Sequence, residues 1–307
     1  MDKPVLLITF NRPEYTRQML KALKQANVKN LFIFKDGPRP NNEDDFLKSK
    51  EIENLIKNID WDCHIETLFL NNNLGCGYGP FTAISWAFSK VDELIILEDD
   101  CIPTVAFFNF CSLLLDKYRN NPKIRHISGR SPLTGHTVFS TYDFIYTQYA
   151  PTWGWATWKR VWENFDLQMR ELQNFFNTGG YSNQFSSSKE ASFFNRRYRK
   201  VLKNTKAVFH IWDYQYGLHS RSNDSLAIVP SKNLISYIGI EGTHPVSYNS
   251  SYTLLQATEE FSPQKHPDTI KLIDSYEKEY FDTFVNIEPG FLRKCWRVLK
   301  HRILRIK

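Results

Sequence analysis

The sequence has no apolar run long enough to cross a membrane and no cysteine pair at metal-binding spacing. A membrane-spanning helix needs about 18 or more largely apolar residues in a row, and the N-terminus also lacks a signal-peptide pattern. The five cysteines are odd in number and include no Cys-x-x-Cys pair, which argues against a disulfide framework or a zinc site. These absences predict a cytoplasmic protein with reduced thiols.

Excess basic charge is also absent from most of the chain. A net charge of +6 would suit a nucleic-acid-binding protein, but residues 291–307 hold seven of the 39 Lys and Arg residues and no acid. The rest of the chain has 32 basic and 33 acidic residues, so its body is close to neutral. We therefore predict no nucleic-acid partner.

The most informative stretch is a short aliphatic run, residues 94–97, that ends in Glu98, Asp99 and Asp100. Such a run is typical of a central strand covered on both faces. Three adjacent charges cannot be buried there unpaired, so we expect them at the carboxyl edge of a sheet, where open α/β folds bind ligands. A divalent cation shared with nucleotide phosphates is the simplest counter-charge. An acidic surface turn is the alternative.

Strands and helices alternate through the first 130 residues. Strands are predicted at 5–10, 31–34, 64–70, 94–97 and 124–128, and helices from Pro13 and at 46–59, 80–88 and 105–118. This order predicts an α/β fold with a mostly parallel central sheet flanked by helices. The glycine-rich residues 75–79 follow the third strand and not the first, which argues against a dinucleotide-binding fold.

The alternation stops after Gly129. Strands are predicted at 144–149 and 226–229, helices near 160–165, 169–176 and 191–202, and a loop at 178–189. We divide the chain into a nucleotide-sugar-binding half, an acceptor-binding and catalytic half of the same compact domain, an irregular extension and a basic tail. Their bounds are 1–130, 131–250, 251–290 and 291–307.

Five motifs occur in a specific order and spacing along the chain. They are Thr9-Phe10-Asn11-Arg12-Pro13, the turn at Asp36, Leu97-Glu98-Asp99-Asp100-Cys101-Ile102-Pro103 with Phe107-Phe108, Trp153-Gly154-Trp155-Ala156-Thr157-Trp158, and the stretch from Asn233 to His244. Over residues 4–245 this order resembles GT-A glycosyltransferases, in particular the N-acetylglucosaminyltransferase I branch and its bacterial relatives. The resemblance implies a Rossmann-like GT-A fold and metal-dependent, inverting transfer of a sugar from a nucleotide-diphosphate donor, with UDP expected.

The resemblance also implies roles in a donor site. Asp100 would hold Mn²⁺ or Mg²⁺, while Glu98 and Asp99 would face the ribose and uracil. Arg12 would meet the diphosphate, and Asp36 the uracil imide. A solvated arginine and an ordinary turn-forming aspartate are the alternatives for these last two residues.

Four more residues complete the expected donor site. Phe10, Asn11 and Gly75 belong to its nucleotide-sugar-binding set. His244 is a candidate second metal ligand, with a solvated or core histidine as the alternative.

Acceptor-side residues are expected in the second half. Asp213 follows Trp212, and partial burial there would raise its pKa and suit it to take the acceptor's proton; a helix cap is the alternative. Glu241 is the second candidate base and an expected acceptor contact, together with Trp153 and Trp155. The indole rings would form either an acceptor-binding wall or core between the halves.

Residues 291–307 have the pattern of a basic amphipathic helix, with apolar residues at spacings of four, three, four and three. This pattern predicts peripheral attachment to an anionic surface on the inner face of the membrane. Such attachment would suit a saccharide or lipid-linked saccharide as acceptor. Docking on the chain's own domain, or on a second protomer of a homodimer, is the alternative.

Two other functions compete with sugar transfer. A sugar nucleotidyltransferase would want a glycine- and lysine-rich loop after the first strand, and residues 10–13 do not form one. A non-catalytic saccharide-binding module would keep the tryptophans but have no use for the carboxylates of a metal site.

Overall fold

One eight-stranded sheet organises the part of the chain that the computed structural model describes, residues 1–170, 172–177, 185–203, 212–239 and 255–286. The strands in chain order are β1 Val5–Thr9, β2 Asn30–Lys35, β3 His64–Phe69, β4 Glu93–Glu98, β5 Cys101–Pro103, β6 Ile124–Ser128, β7 Phe144–Thr147, β8 Trp155–Trp158, β9 Leu226–Pro230 and β10 Ile235–Tyr237. The sheet runs β3-β2-β1-β4-β8-β6-β9-β7, while β5 and β10 form a separate pair.

Parallel pairing dominates the sheet. β1 is parallel to β2 and β4, β2 to β3, and β6 to β9. β8 is antiparallel to both β4 and β6, and β7 is antiparallel to β9. The predicted class, an α/β fold with a mostly parallel central sheet, is therefore confirmed.

Helices cover both faces of this sheet. They are α1 Pro13–Gln25, α2 Glu43–Lys57, α3 Gly75–Phe88, α4 Val105–Lys117, α5 Lys159–Trp162, α6 Leu172–Asn177, α7 Ser188–Lys203, α8 Asp213–Ser222 and α9 Asp274–Tyr280. None of the helices in the described ranges is both long enough and apolar enough to span a bilayer.

The central strands are buried on both sides, as the uniform aliphatic runs predicted. In β1, Val5 and Leu7 face the core beneath α1, α2 and α4, while Leu6 and Ile8 face the core beneath α3, α5 and α8. This alternation follows from the two-residue period of a strand. The double coverage leaves the carboxyl edge of the sheet as the place where charged residues can emerge.

Two helices of the first half start earlier than predicted. α2 begins at Glu43 because the side chain of Asn42 accepts a hydrogen bond from the Asp45 amide at 3.0 Å and caps the helix. α3 begins at Gly75, so the glycine-rich stretch is its first turn and not a loop. Gly75 has φ +76°, which glycine adopts without strain.

The second half completes the same sheet. The tryptophan block forms β8, an antiparallel strand in the sheet interior that we did not predict, and Asp213 begins the equally unpredicted α8. The extension expected to be irregular contains α9, whose Tyr276 and Tyr280 pack in a third core with Ile145 and Val229. The predicted tail, 291–307, lies outside the described residues.

Candidate active site

Three neighbouring parallel strands deliver most of the predicted donor-site residues to one edge. Ile8 of β1 pairs in register with Glu98 of β4, and Thr9 pairs with Lys35 of β2. The residues that follow these strands therefore leave the sheet together. They are Phe10, Asn11, Arg12, Asp36, Asp99 and Asp100.

An acid cluster, defined as Glu98, Asp99, Asp100 and their neighbour Asp213, forms the centre of this edge. Asp99 and Asp100 are only 6% and 8% exposed. The Nη1 of Arg12 donates to both of them, at 3.2 Å to Asp99 Oδ1 and 2.7 Å to Asp100 Oδ2. Arg12 thus supplies part of the counter-charge that we expected from a divalent cation.

Burial and mutual repulsion perturb these groups. Burial raises the pKa of Glu98 to about 8, and the charges of Asp100, Asp213 and Asp99 add to the rise. Burial and Asp100 likewise raise the pKa of Asp99 to about 7. For Arg12, burial lowers the pKa, but Asp99 and Asp100 outweigh burial and the net pKa is raised. Burial is thus the main cause of the raised pKa values of Glu98 and Asp99, and repulsion among the carboxylates adds to it.

The β5–β10 pair closes one side of Asp100. The Cys101 thiol donates to Asp100 Oδ1 at 3.3 Å, and the Ile238 amide donates to the Asp100 carbonyl at 2.9 Å. A Cβ added to Gly239 would lie 2.6 Å from Asp100 Oδ2 and 2.4 Å from the Tyr237 hydroxyl. Only a glycine lets the backbone approach the carboxylate this closely.

Tyr237 is a site residue that the sequence reasoning missed. Burial raises its pKa, and Asp100 raises it further, which shows that its hydroxyl lies beside the acid cluster. Its ring stacks on Trp153 with centroids 4.2 Å apart and planes 8° apart. The only available signal was its place in the stretch from Asn233 to His244.

The two tryptophans expected at the acceptor site, Trp153 and Trp155, differ in burial. Trp153 is partly exposed beside Tyr237, where it can present a flat apolar surface. Trp155 is 1% exposed and stacks on Trp212 and His126, at 5.5 and 4.8 Å between centroids. The acceptor role does not fit Trp155, because β8 carries it into the core.

Asp36 binds the chain's own backbone. Its Oδ1 accepts from the Gly37 and Leu74 amides, both at 2.9 Å, and its Oδ2 accepts from the Gly75 amide at 3.1 Å and from Asn73 Nδ2 at 2.9 Å. Its carboxylate thus caps the start of α3. A uracil imide would have to displace one of these four donors.

Phe10 and Asn11 also hold the strand ends in place. The Phe10 amide lies near Asp99 and partly offsets the rise in the pKa of its carboxyl group, and the Phe10 ring lies 5.6 Å from the Arg39 guanidinium. Asn11 Nδ2 donates to Asp45 Oδ1 at 2.7 Å. Asn11 is therefore turned towards the start of α2, whereas the Phe10 amide lies beside the acid cluster.

Asp213 is the first residue of α8 and is exposed, so the partial burial we expected for it does not hold. Its Oδ1 accepts from the Tyr214 amide at 2.8 Å, while Trp212 before it is 4% exposed. Its charge raises the pKa of Glu98, which places it near the acid cluster. Glu241 and His244 lie outside the described residues.

The donor set suits a hard divalent cation only in part. Asp99 and Asp100 offer carboxylate oxygens, and one or two of these suffice for Mg²⁺ or Mn²⁺ when phosphates and water complete the shell. Within the described ranges, no group of three or more His, Cys, Asp or Glu side chains is arranged to hold a metal. The residues thus fit a cation that is shared with a diphosphate.

A groove of about 620 Å³ lies elsewhere, between α3 and residues 163–170. The acid cluster contributes no residue to its lining, which includes Tyr78, Phe81 and Phe165. The charged site and this groove are separate features of the surface.

No family model and no curated protein matches the chain. Among solved structures, apo mouse xyloside xylosyltransferase 1 has a TM-score of 0.37 and 11% identity, covering 73% of this chain and 84% of that one. UDP-glucose pyrophosphorylase complexed with UDP-glucose has a TM-score of 0.36 and 9% identity, covering 75% and 90%.

A cytidylyltransferase from Leptospira borgpetersenii has a TM-score of 0.33 and 14% identity. The match covers 54% of this chain and only 64% of the length of that protein. The N-acetylglucosaminyltransferase I branch is not among these three structures. Similarity at these TM-scores does not indicate function. The function proposed for this chain therefore depends on the geometry of its site.

Proposed function

We propose that this chain is a GT-A glycosyltransferase that moves a sugar from a nucleotide-diphosphate donor, expected to be a UDP-sugar, to a saccharide hydroxyl. One observation carries the proposal. The carboxylates of Glu98, Asp99 and Asp100 concentrate negative charge at the carboxyl edge of neighbouring parallel strands, where burial, together with repulsion from neighbouring carboxylates, raises the pKa of Glu98 and Asp99. A cation bound with a diphosphate would relieve that charge.

Asp100, with Asp99 beside it, would hold Mn²⁺ or Mg²⁺, which when bound would act as a Lewis acid on the departing diphosphate. Arg12, 29% exposed at its side chain, is within reach of the same diphosphate. Phe10 and Glu98 border the position of the nucleoside. The stacked rings of Trp153 and Tyr237 would support the acceptor sugar, whose ring hydrogens pack well against aromatic faces.

Asp213 is the proposed base. Its carboxylate is exposed at the N-terminus of α8 and faces the acid cluster. It would accept the proton of the acceptor hydroxyl as that oxygen attacks the anomeric carbon, giving inversion in a single displacement. Glu241 is the second candidate for this role.

A screen of activated sugars tests the function. The protein with Mn²⁺ should hydrolyse, and transfer from, one class of nucleotide sugar, and calorimetry should show that UDP binds in the presence of Mn²⁺. A saccharide-binding module would show no coupling between UDP and the metal. Absence of UDP binding under all metal conditions would refute the proposal.

The base is tested by Asp213→Ala. Loss of a general base lowers turnover by about 10²- to 10⁴-fold, while UDP binding should stay unchanged because Asp213 is not expected to contact the donor. Asp274→Ala is a matched control, since Asp274 is the exposed first residue of α9. Undiminished turnover in Asp213→Ala would show that another group acts as base.

We further propose, from the sequence pattern alone, that residues 291–307 attach the enzyme to an anionic membrane surface, where a lipid-linked acceptor would lie. Removal of these residues should abolish co-sedimentation with anionic liposomes and leave UDP binding intact. Unchanged sedimentation of the truncated protein would favour the alternative, docking on the protein or on a second protomer.

A further inference from the structure

Arg12 uses the same carboxylate oxygen that a bound metal would need. Resting on the function proposed above, we propose that Arg12 is a latch: it excludes the divalent cation from Asp100 until the diphosphate of a nucleotide draws the guanidinium away. Metal and nucleotide would then bind as a coupled pair, and neither would bind tightly alone.

The contacts of Arg12 define the closed state of the latch. A single nitrogen, Nη1, bridges Asp99 Oδ1 and Asp100 Oδ2 at 3.2 and 2.7 Å. The Arg12 side chain is 29% exposed, whereas those of Asp99 and Asp100 are 8% and 12% exposed. The guanidinium therefore covers the carboxylates on their outer side.

The inner side of Asp100 offers the cation little room. Its Oδ1 accepts from the Cys101 thiol at 3.3 Å, and the Gly239 backbone lies so close to Oδ2 that even a Cβ there would be 2.6 Å away. A metal ion must therefore reach Oδ2 from the side that Arg12 occupies. Two like charges cannot share that position, because their repulsion is strong where water is largely excluded.

A diphosphate supplies what is needed to open the latch. Phosphate oxygens match the fork of a guanidinium and form charge-assisted hydrogen bonds with it. They also complete the shell of a cation that one or two carboxylates anchor. Arg12 would exchange carboxylate partners for phosphate partners, and the cation would take the vacated oxygens. Linkage then requires each ligand to raise the other's affinity by the same factor.

Calorimetry of metal binding tests the latch without any turnover. Wild-type protein should bind Mn²⁺ weakly alone, and at least about tenfold more tightly with UDP present, a factor within the usual range of coupling between sites. Arg12→Gln removes the competing charge. This variant should bind Mn²⁺ alone more tightly than wild type, and the gain from UDP should be smaller than in wild type, leaving only the part that phosphate coordination of the cation supplies.

Arg17→Ala is the matched control, because it removes an arginine of α1, the helix that Arg12 precedes, and Arg17 pairs only with exposed Glu14 and Glu51 in the described contacts. Its coupling should equal that of wild type. Arg12→Lys keeps a positive charge but has no planar fork, and its coupling should fall between wild type and Arg12→Gln. Urea unfolding tests whether each variant is folded. If Arg12→Gln is not folded, the coupling between Mn²⁺ and UDP in Arg12→Lys tests the latch instead.

The possible failures are distinct. Tight Mn²⁺ binding by the wild type without nucleotide, or unchanged coupling in a folded Arg12 variant, overturns the latch while UDP binding still supports the transferase. Absence of UDP binding to the wild type, with or without Mn²⁺, overturns the proposed function itself.

Discussion

The protein contains two clusters of charged side chains, and they differ in balance and in burial. The acid cluster at the sheet edge has four carboxylates, of which Asp99 and Asp100 pair with the guanidinium of Arg12. A second group, here called the interior cluster, consists of Glu190 of α7, Glu277 of α9, Arg125 of β6 and Arg221 of α8. It sets two carboxylates against two guanidiniums, all at most 5% exposed.

The interior cluster makes its hydrogen bonds within the protein. Glu190 Oε1 accepts from the Tyr149 hydroxyl at 2.5 Å and lies 3.5 Å from Arg221 Nη2. Arg221 also donates to the Gln148 side chain, and its guanidinium lies 4.8 Å from the Tyr149 ring. Glu277 Oε2 accepts from the Gln148 amide at 3.3 Å. These contacts join α7, α8 and α9 to the end of β7.

The comparison separates two uses of buried charge. A balanced and enclosed cluster holds elements together, and removing one member exposes its partner to the cost of unpaired burial. An unbalanced cluster at an open edge retains attraction for a cation that the chain does not supply. Variants in the interior cluster should therefore affect stability, and variants at Asp99 and Asp100 of the acid cluster should affect ligand binding.

Glu190→Ala should have the largest effect. It leaves Arg221 buried without its carboxylate, which costs about 3–5 kcal/mol of unfolding free energy. Urea unfolding followed by tryptophan fluorescence measures the loss. Glu163→Ala, at a glutamate whose side chain is 61% exposed, is the control and should change stability little. A loss below about 1 kcal/mol in Glu190→Ala would show that the Glu190–Arg221 pair contributes no more than a surface ion pair. The interior cluster would then not differ from the acid cluster in its effect on stability.

Asp100→Ala should act in the opposite way. UDP affinity in the presence of Mn²⁺ should fall about 100-fold or more, since the variant loses a charge-assisted ligand. Stability should be kept or increased, because one of several repelling carboxylates is gone. Calorimetry and urea unfolding measure the two quantities. Asp116→Ala, at an aspartate whose side chain is 59% exposed, should alter neither UDP affinity nor stability appreciably.

Glu277→Gln should reduce the pH dependence of stability. Burial raises the pKa of Glu277 to about 7, from a usual value of 4.5. The folded protein therefore keeps a proton that the unfolded chain has lost, so this contribution is fully present below about pH 4.5 and is lost as the pH rises through about 7.

Between pH 5 and 8 the unfolding free energy of the wild type should therefore fall by about 2 kcal/mol more than that of Glu277→Gln. Urea titrations at several pH values measure this difference. Identical pH profiles would show that Glu277 ionises normally inside the protein. UDP binding by Glu277→Gln should match wild type.

Trp153→Ala should have the smallest effect, and one limited to the acceptor. Loss of a stacking surface should raise the acceptor KM about fivefold, in line with about 1 kcal/mol for an aromatic contact, and leave UDP affinity unchanged. Trp155→Ala should instead destabilise the fold by about 3–5 kcal/mol, as expected for a buried tryptophan. Equal effects of the two variants on KM would contradict the separation of the two rings.

Prediction from the sequence succeeded best in the first half. Uniform aliphatic runs such as 94–97 must be buried on both faces, and parallel neighbours bring their following residues to one edge. It failed at β8 and α8, because a four-residue aromatic strand and a short helix after Trp212 carry little periodic signal. The sequence suggested Asp213 as a candidate base. Its exposure was not predicted, because it depends on a helix that the pattern did not reveal.

The sequence by itself determined the order of the elements in the first half, the double burial of its central strands and the position of three acids at a strand end. Local hydrophobic periods and charge density suffice for these features. Only the tertiary structure decided that Arg12 bridges Asp99 and Asp100, that Tyr237 joins them, and that Trp155 lies inside. Such contacts join residues far apart in the chain, and their geometry depends on how the layers pack.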